Sequence, residues 1–372
     1  MVCIVEIAGR GGICHYTYNL CKELTERMRV CLVTAKNYEL ENLELNLEMH
    51  KIFNRFKTTP SALFRFFSIC SNMEAIHFQL SQYPSTILSL ILILKCLYKK
   101  KIIVTAHNII SHKKSIFTKL IFKNIYKASD AIIVHAKANK VELLEKFNFI
   151  NPDKVVVIPH GNYEFFNPTL NKSSLSLLNT SFSDKKDPYQ YILFFGYIRR
   201  YKGLDDLLEA FLEVIKKTNR AKLLIVGKPI DDIKVYLKKI NSFNLKRRVT
   251  LDLSYIPFTK VNEYFKKADV VVLPYKKVHQ SGVLQLAYGF GKPVVVTNTG
   301  GLPEVVEDGN NGFVVPVGNS MLMAQAIINI LRNDNLRQAM GNRSLELARI
   351  KFNWANSATE TKAVYDLTIG RK

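Results

Sequence analysis

Two glycine-containing turns that precede helices form the stretch of this sequence best suited to chemistry. The stretch runs from Gln280 to Glu304 and reads as turn, helix, turn, buried strand, turn and helix start. Ser281-Gly282 precedes the first helix, and Thr299-Gly300-Gly301 precedes the second. A helix N-terminus offers unpaired N–H groups and partial positive charge, and glycine lets a ligand approach the backbone closely. The pattern predicts a phosphate cradle. The alternative is a pair of ordinary connecting turns of an α/β domain.

A basic loop supplies the second group of candidate residues. Arg199 and Lys202 follow the predicted strand Tyr191 to Phe195 and stand beside a helix that starts near Gly203. With the Ser281-Gly282 amides they can hold a diphosphate, and fixed cations stabilise the negative charge that builds on a departing phosphate. Such a site needs no metal, and the sequence has no Asp-x-Asp pair. The alternative is that these residues are surface charges.

Three histidines follow predicted strands: His107, His135 and His160. Ligands of open α/β sheets collect at the carboxyl ends of the strands. His107 ends the apolar strand Lys101 to Thr105 and is our candidate for chemistry. A histidine at such a position is more often structural, and we expect this of the other two.

The order of the elements predicts an α/β protein with two Rossmann-like halves. A strand over Val2 to Ile7, the loop Gly9-Arg10-Gly11-Gly12 and a helix from about Ile13 to Arg27 open the first half, although the full GxGxxG spacing is absent. The second half restarts this rhythm near residue 191. We predict an N-terminal domain over 1–170, a linker over 171–190, a C-terminal domain over 191–350, and a last helix over 351–372 that packs toward the N-terminal domain.

The positive charge narrows the possible partners. The net charge is +22, and the segment from Lys95 to Lys127 has nine lysines and no acid. Helical spacing places Lys119, Lys123 and Lys127 together, with Phe117, Leu120, Ile121 and Ile125 expected on another side of the helix. Such a surface suits an anionic membrane face. The alternative is a solvated lysine face on a helix packed over a sheet. Nucleic acid is disfavoured, because no stacking motif, zinc finger or RNP-like strand is present.

Cysteine usage and the N-terminus indicate the compartment. All six cysteines lie in the first hundred residues without a CxxC pair, which favours free, mostly buried thiols in a reducing cytoplasm and disfavours zinc. The N-terminus lacks the basic region of a signal peptide, and no run reaches the roughly 18 apolar residues of a spanning helix. We predict a cytoplasmic protein, peripheral on the inner face of the membrane.

Motifs over most of the chain resemble the family-4 glycosyltransferases of the GT-B fold. The C-terminal half carries the more specific ones. The motifs are Gly9 to Gly12, Thr105 to Asn108 (TAHN), Val157 to Gly161 (VIPHG), Phe194 to Gly203 (FFGYIRRYKG), Leu224 to Gly227 (LIVG), Ala268 to Pro274 (ADVVVLP), Gly291 to Glu304 (GKPVVVTNTGGLPE) and Glu307 to Pro316 (EDGNNGFVVP).

This resemblance implies two Rossmann-like domains facing across a cleft, with a nucleotide-sugar donor on the C-terminal domain and a glycan or lipid-linked acceptor on the N-terminal domain. It implies sugar transfer with retention at the anomeric carbon and without a metal or cofactor, in cell-surface polysaccharide assembly. His107 then lies near the reacting sugar, and Lys202, with Arg199, holds the diphosphate. The implied donor-binding residues are Gly11, Gly12, Gly227, Gln280, Ser281, Gly282, Val283 and Glu304.

The sequence departs from the family pattern at two places. The two glutamates expected before the GKP turn fall on Val278 and Leu286, and proximity makes Gln280 or Gln285 the candidate substitutes. The arginine expected after the strand-end glycine is Tyr197, and Arg199 is its candidate replacement. Two alternatives therefore stay open, a GT-B sugar-nucleotide epimerase and a degenerate, non-catalytic GT-B binding subunit.

Overall fold

A computed structural model of the chain describes residues 1–43, 45–54, 59–80, 83–110, 115–163, 166 and 188–370. The chain divides into two compact units. Unit 1 comprises Met1–Gly161 and Phe352–Lys372, and unit 2 comprises Asn162–Lys351. Most of the predicted linker, residues 171–187, lies outside the described residues.

Unit 1 is built on a parallel sheet of seven described strands in the order β3-β2-β1-β4-β5-β6-β7. Every residue of β1, β2, β4 and β6 is buried, as expected for strands covered by helices on both faces. The strands are β1 (Val2–Val5), β2 (Val30–Ala35), β3 (Glu48–Phe53), β4 (Ala75–Leu80), β5 (Lys101–Ala106), β6 (Ala131–Val134) and β7 (Val155–Val157). The helices are α1 (Gly12–Thr25), α2 (Pro60–Ser71), α3 (Pro84–Cys96), α4 (Ile116–Ala128), α5 (Lys137–Lys146) and the last helix of the chain, α13 (Trp354–Ile369), which packs on α1.

Unit 2 repeats the same topology with six described strands in the order β10-β9-β8-β11-β12-β13. The strands are β8 (Gln190–Phe195), β9 (Ala221–Val226), β10 (Val249–Asp252), β11 (Val270–Leu273), β12 (Val294–Thr297) and β13 (Gly312–Val315). The helices are α6 (Leu204–Lys217), α7 (Lys234–Ser242), α8 (Val261–Lys267), α9 (Gly282–Gly289), α10 (Leu302–Val305), α11 (Ser320–Arg332) and α12 (Asp334–Ile350). Both sheets place the crossover that reverses strand order beside their first strand, which confirms the predicted α/β class with two Rossmann-like domains.

The structure also gives the state of the cysteines and the character of the helices. All six cysteines are free, and five are buried, with Cys96 exposed. Among the described residues, no helix combines the length and the apolar character that a membrane crossing requires.

The basic helix α4 is only partly buried. Ile121 and Ile125 are buried as expected, but Phe117 and Leu120 are 71% and 51% exposed. The first turn of α4 contributes nothing to the core, because its buried residues begin at Ile121. Phe117 and Leu120 therefore lie outside the core of unit 1, and the placement of the four apolar residues away from the lysines stays a prediction. Lys113 and Lys114, two of the nine lysines counted in the sequence, lie outside the described residues.

Gly203 fixes the turn into α6. Its φ is 66°, and a methyl group there would come within 1.8 Å of the Pro274 carbonyl oxygen. We expect Gly203→Ala to lower the free energy of unfolding by at least about 3 kcal/mol, since left-handed strain and a backbone clash add. Gly318→Ala is the matched control, with a φ of 76° and nothing within 4 Å of the added methyl. Gly318→Ala should lower the free energy of unfolding by about 1 kcal/mol. Urea unfolding followed by circular dichroism measures both, and equal losses would contradict the clash.

Candidate functional site

Lys202 lies at the centre of a compact group at the carboxyl ends of β8 and β9. A methyl group on Gly196, which follows β8, would come within 2.9 Å of Lys202 Nζ and 3.6 Å of Val283 Cγ2. A methyl group on Gly227, which follows β9, would come within 2.2 Å of the Gly196 carbonyl oxygen. The structure therefore brings Lys202, Gly227 and Val283 together, as the sequence predicted them to share a site.

The Lys202 ammonium is buried, and no described residue supplies a counter-ion for it. The residue is 8% exposed, and its Nζ lies 5.1 Å from the centroid of the Tyr275 ring. Within the part of the chain that the structure describes, its side chain makes no ion pair or hydrogen bond, and neither does Arg199. Burial lowers the pKa of Lys202, with Tyr201 opposing that shift and Arg199 adding to it. A buried cation costs free energy unless it is paired, so this arrangement is suited to receiving an anion.

The N-terminus of α9 adds backbone donors beside Lys202. Ser281 is the N-cap residue, and the Tyr275 hydroxyl lies 3.4 Å from its Oγ. Gly282 and Val283 are the first two residues of the helix, so their amide N–H groups have no acceptor in a preceding helical turn. Amides and an ammonium aimed at one place suit a phosphate group.

The second predicted turn touches the first. A methyl group on Gly300, whose φ is 54°, would come within 1.7 Å of the Val278 carbonyl oxygen, and the Gly301 amide donates to the His279 carbonyl at 3.1 Å. The helix that follows, α10, has only 4 residues. Glu304 lies in its first turn with an exposed side chain.

The positions of the two missing glutamates are occupied by Val278 and by Leu286, which is 7% exposed. Gln285 is 3% exposed, and its Oε1, like that of Gln280, has no hydrogen-bond donor among the described residues. Two buried amide oxygens thus stand near the helix N-terminus in place of carboxylates. Their part in ribose or sugar recognition stays a prediction.

In unit 1 the glycine loop is held by two carboxylates. Glu6 accepts from the amides of Ala8 and Gly9, both at 2.8 Å, and burial raises its pKa. The Gly11 amide donates to Glu39 Oε2 at 2.7 Å, so this N–H group already has an acceptor. No described atom lies within 4 Å of a methyl group built on Gly11 or Gly12, which leaves room for a ligand to approach the loop.

The three predicted histidines meet at the carboxyl edge of this sheet. His107 Nδ1 lies 3.2 Å from His135 Nε2, and the ring of Tyr16, from α1, contacts all three histidines at centroid distances of 4.8 to 5.1 Å. His107 Nε2 lies 2.8 Å from Gln79 Oε1. Both ring nitrogens of His107 are therefore engaged, and its pKa is well below the usual value because of burial and neighbouring histidines.

Sequence reasoning missed three members of this cluster: Tyr16, His77 and Gln79. His77 and Gln79 alternate along β4, and the β4–β5 register brings Gln79 beside Thr105. A polar residue at every second position of an otherwise apolar strand was the available signal. Its partners were not predictable, because they come from distant segments.

Two protein-family models match the chain. The model described as Glycosyltransferase Family 4 matches residues 10–161, and that described as Glycosyl transferases group 1 matches residues 189–333. An uncharacterized glycosyltransferase of Methanocaldococcus jannaschii is 26% identical over 256 residues, which are 67% of this chain and 62% of the relative. The chain thus spans less than two thirds of the length of that curated relative.

Solved structures show the same fold. HepE of Anabaena in complex with UDP has a TM-score of 0.75 and 16% sequence identity, covering 98% of this chain and 99% of HepE. WaaG, a glycosyltransferase involved in lipopolysaccharide biosynthesis, has a TM-score of 0.68 and 14% identity over 100% of both chains. These likenesses identify the fold as GT-B.

Proposed function

Because this chain belongs to the family-4 glycosyltransferases, we propose that it transfers a hexosyl group from a nucleotide-sugar donor to a glycan or lipid-linked acceptor. The observation that carries this proposal is the buried ammonium of Lys202, which has no ion-pair partner in the described part of the chain and lies beside the first residues of α9. A nucleoside diphosphate supplies the anion that this group requires. The UDP bound to HepE supports a donor of this class.

We propose the following chemistry for the site. The bond between the anomeric carbon and the β-phosphate oxygen breaks, and the negative charge moves onto the diphosphate. Lys202, Arg199 and the Gly282 and Val283 amides stabilise that charge, and fixed groups need no reorganisation as it develops. The acceptor oxygen bonds to the anomeric carbon on the face the phosphate leaves, and the acceptor proton passes to a phosphate oxygen. The configuration is retained.

No metal or cofactor enters this proposal. The described residues contain no group of three His, Cys, Asp or Glu side chains placed to hold a metal ion. Metal independence stays a prediction. Activity in excess chelator tests it directly.

Donor binding is testable without knowing the acceptor. A panel of nucleoside diphosphates and their sugar derivatives is titrated into the protein, with the melting temperature as readout. A bound ligand at 100 times its Kd raises the free energy of unfolding by about 2.7 kcal/mol. No shift with any member of the panel would remove the basis of the proposal.

A membrane-associated acceptor is supported by the exposed surface of α4. We define the α4 face as Ile116, Phe117, Lys119, Leu120 and Lys123. Ile116 is 92% exposed, and it shares one side of the helix with Lys119, Leu120 and Lys123 through i, i+3, i+4 and i+7 spacing. Bulky apolar side chains among lysines suit the headgroup region of an anionic leaflet. We propose peripheral binding there, on the cytoplasmic side, in polysaccharide assembly.

Vesicle sedimentation tests this surface. Lys119→Glu with Lys123→Glu should weaken binding to vesicles containing phosphatidylserine at least tenfold, since each lysine near such a surface is worth about 1 kcal/mol. High salt should weaken the wild type as well. The charge-matched control is Lys216→Glu with Lys217→Glu on α6, which should bind normally. Equal retention on neutral vesicles, or an equal loss in the control, would contradict the proposal.

A further inference from the structure

A continuous chain of hydrogen bonds crosses unit 1 from the C-terminal helix to the carboxyl edge of the sheet. The Tyr365 hydroxyl, on α13, lies 2.6 Å from His77 Nδ1, and His77 Nε2 lies 2.7 Å from Thr105 Oγ1 and 3.4 Å from the Gln79 amide. The other end of that amide, Gln79 Oε1, lies 2.8 Å from His107 Nε2, and His107 Nδ1 lies 3.2 Å from His135 Nε2. We call Tyr365, His77, Thr105, Gln79, His107 and His135 the polar chain; all are buried.

The hydrogen bond at the His135 end of the polar chain decides which histidine nitrogens carry a proton. His135 Nδ1 lies 3.0 Å from the Ile158 carbonyl oxygen, which only accepts, so His135 carries its proton on Nδ1. A neutral His135 then accepts at Nε2. Its neighbour His107 must donate from Nδ1 across the 3.2 Å contact. A neutral His107 is left with a lone pair on Nε2.

The Gln79 amide faces that lone pair at 2.8 Å. The structure places the Gln79 oxygen on this side, and there two acceptors would meet unless the His107–His135 pair carried an additional proton and a positive charge. Among the described residues, the groups that face His107 are Tyr16 from α1, His77 and Gln79 from β4, His135 after β6 and His160 after β7, and none of these supplies a negative charge. Burial lowers the pKa of His107, and that of His135 to about 4, so the pair is neutral at pH 7.

The two ends of an amide have the same shape, and their neighbours decide its orientation. With its NH₂ group toward His107, Gln79 donates to the Nε2 lone pair, and its oxygen faces His77 Nε2. His77 then donates its Nε2 hydrogen to Thr105 at 2.7 Å, with the Gln79 oxygen as a second acceptor 3.4 Å from the same nitrogen, and accepts at Nδ1 from the Tyr365 hydroxyl. Each hydrogen bond of the polar chain then has one donor and one acceptor, the donors all point from Tyr365 toward His135, and every histidine in the chain is neutral.

We infer that the polar chain is uncharged and unidirectional, and that Gln79 and His135 are positioning residues that hold His107 as its Nδ1–H tautomer. Since both nitrogens of His107 lie inside the chain, its ring is fixed at the end of β5, and α13 is coupled to that position through Tyr365. The importance of this position for catalysis rests on the proposed function. The assignment of the His107 tautomer rests only on the hydrogen bonds.

Nitrogen-15 NMR of histidine-labelled wild-type protein tests the assignment directly. His107 signals, identified by their loss in His107→Asn, should show a protonated Nδ1 and an unprotonated Nε2, unchanged from pH 6 to pH 8. A protonated Nε2 at pH 7, in either a neutral or a charged ring, would overturn the inference.

Gln79→Glu gives a second readout. A carboxylate only accepts, so it should stabilise a proton taken up from solvent at His107 Nε2, create an imidazolium, and add an ionisation between pH 6 and pH 8 to the NMR signals and to kcat/KM. Gln79→Met, which removes the amide without adding charge, should lower kcat/KM about tenfold without a new ionisation. A residue that only supports the fold would give the same pH profile in both variants, and that result would overturn the positioning role. Correct tautomers with no transfer to any acceptor would instead refute the proposed function alone.

Discussion

Replacing Lys202 by methionine is expected to abolish most nucleoside diphosphate binding while leaving the free protein at least as stable as the wild type. Loss of one partner from a buried, hydrogen-bonded charge pair costs about 2–4 kcal/mol, which is about a 30-fold to 1000-fold rise in Kd. In the free protein the buried ammonium has no counter-ion among the described residues, so an apolar side chain of similar length removes an unfavourable charge. Calorimetric titration gives Kd, and thermal unfolding gives the stability.

Lys222→Met is the matched control for this experiment. Lys222 also stands over a tyrosine, with Nζ 3.5 Å from the Tyr189 ring centroid, but it lies at the amino end of β9, away from the carboxyl ends of the strands. Its loss should leave the affinity for nucleoside diphosphates unchanged. An unchanged Kd in Lys202→Met, or a marked loss of stability in the free variant, would show that Lys202 is structural.

Acid is expected to unfold unit 1 through its buried histidines. Burial lowers the pKa of His77 and His160 to about 3, that of His135 to about 4, and that of His107 well below its usual value. A base with a lowered folded pKa contributes stability above its unfolded pKa, about 6.5, and loses it as the pH falls toward the folded value. Four such groups predict a loss of about 5 kcal/mol per pH unit below about pH 6.

Tryptophan fluorescence measures this transition, because Trp354 is the single tryptophan and its ring lies 5.8 Å from that of His160. His135→Asn should reduce the slope of stability against pH by about a quarter, since one of four protons no longer takes part. Full stability at pH 5 would contradict the neutral, buried state of the cluster.

Local features predicted the two sheets and the glycine-containing turns that precede α6 and α9. Apolar strands such as Lys101–Ala106 and glycines such as Gly203 follow rules that act within a few residues, so their places were readable from the sequence. The polar chain could not be predicted from the sequence, because His77, Tyr365 and His135 come together only after the sheet forms. The exposure of Phe117 depends on where α4 leaves the core, which periodicity does not encode. The same limit applies to Gln285, because its packing decides that its side-chain oxygen has no donor among the residues that the structure describes.

Turnover with an acceptor is the most direct test of the central claim. The protein is incubated with a nucleotide sugar that it binds and with a membrane-lipid extract, and proton and phosphorus NMR follow both products. The account predicts nucleoside diphosphate release only when the acceptor is present, formation of a glycoside with the donor's anomeric configuration, and loss of both in Lys202→Met. Acceptor-independent release of a free, epimerised sugar, or binding without any release, would contradict it.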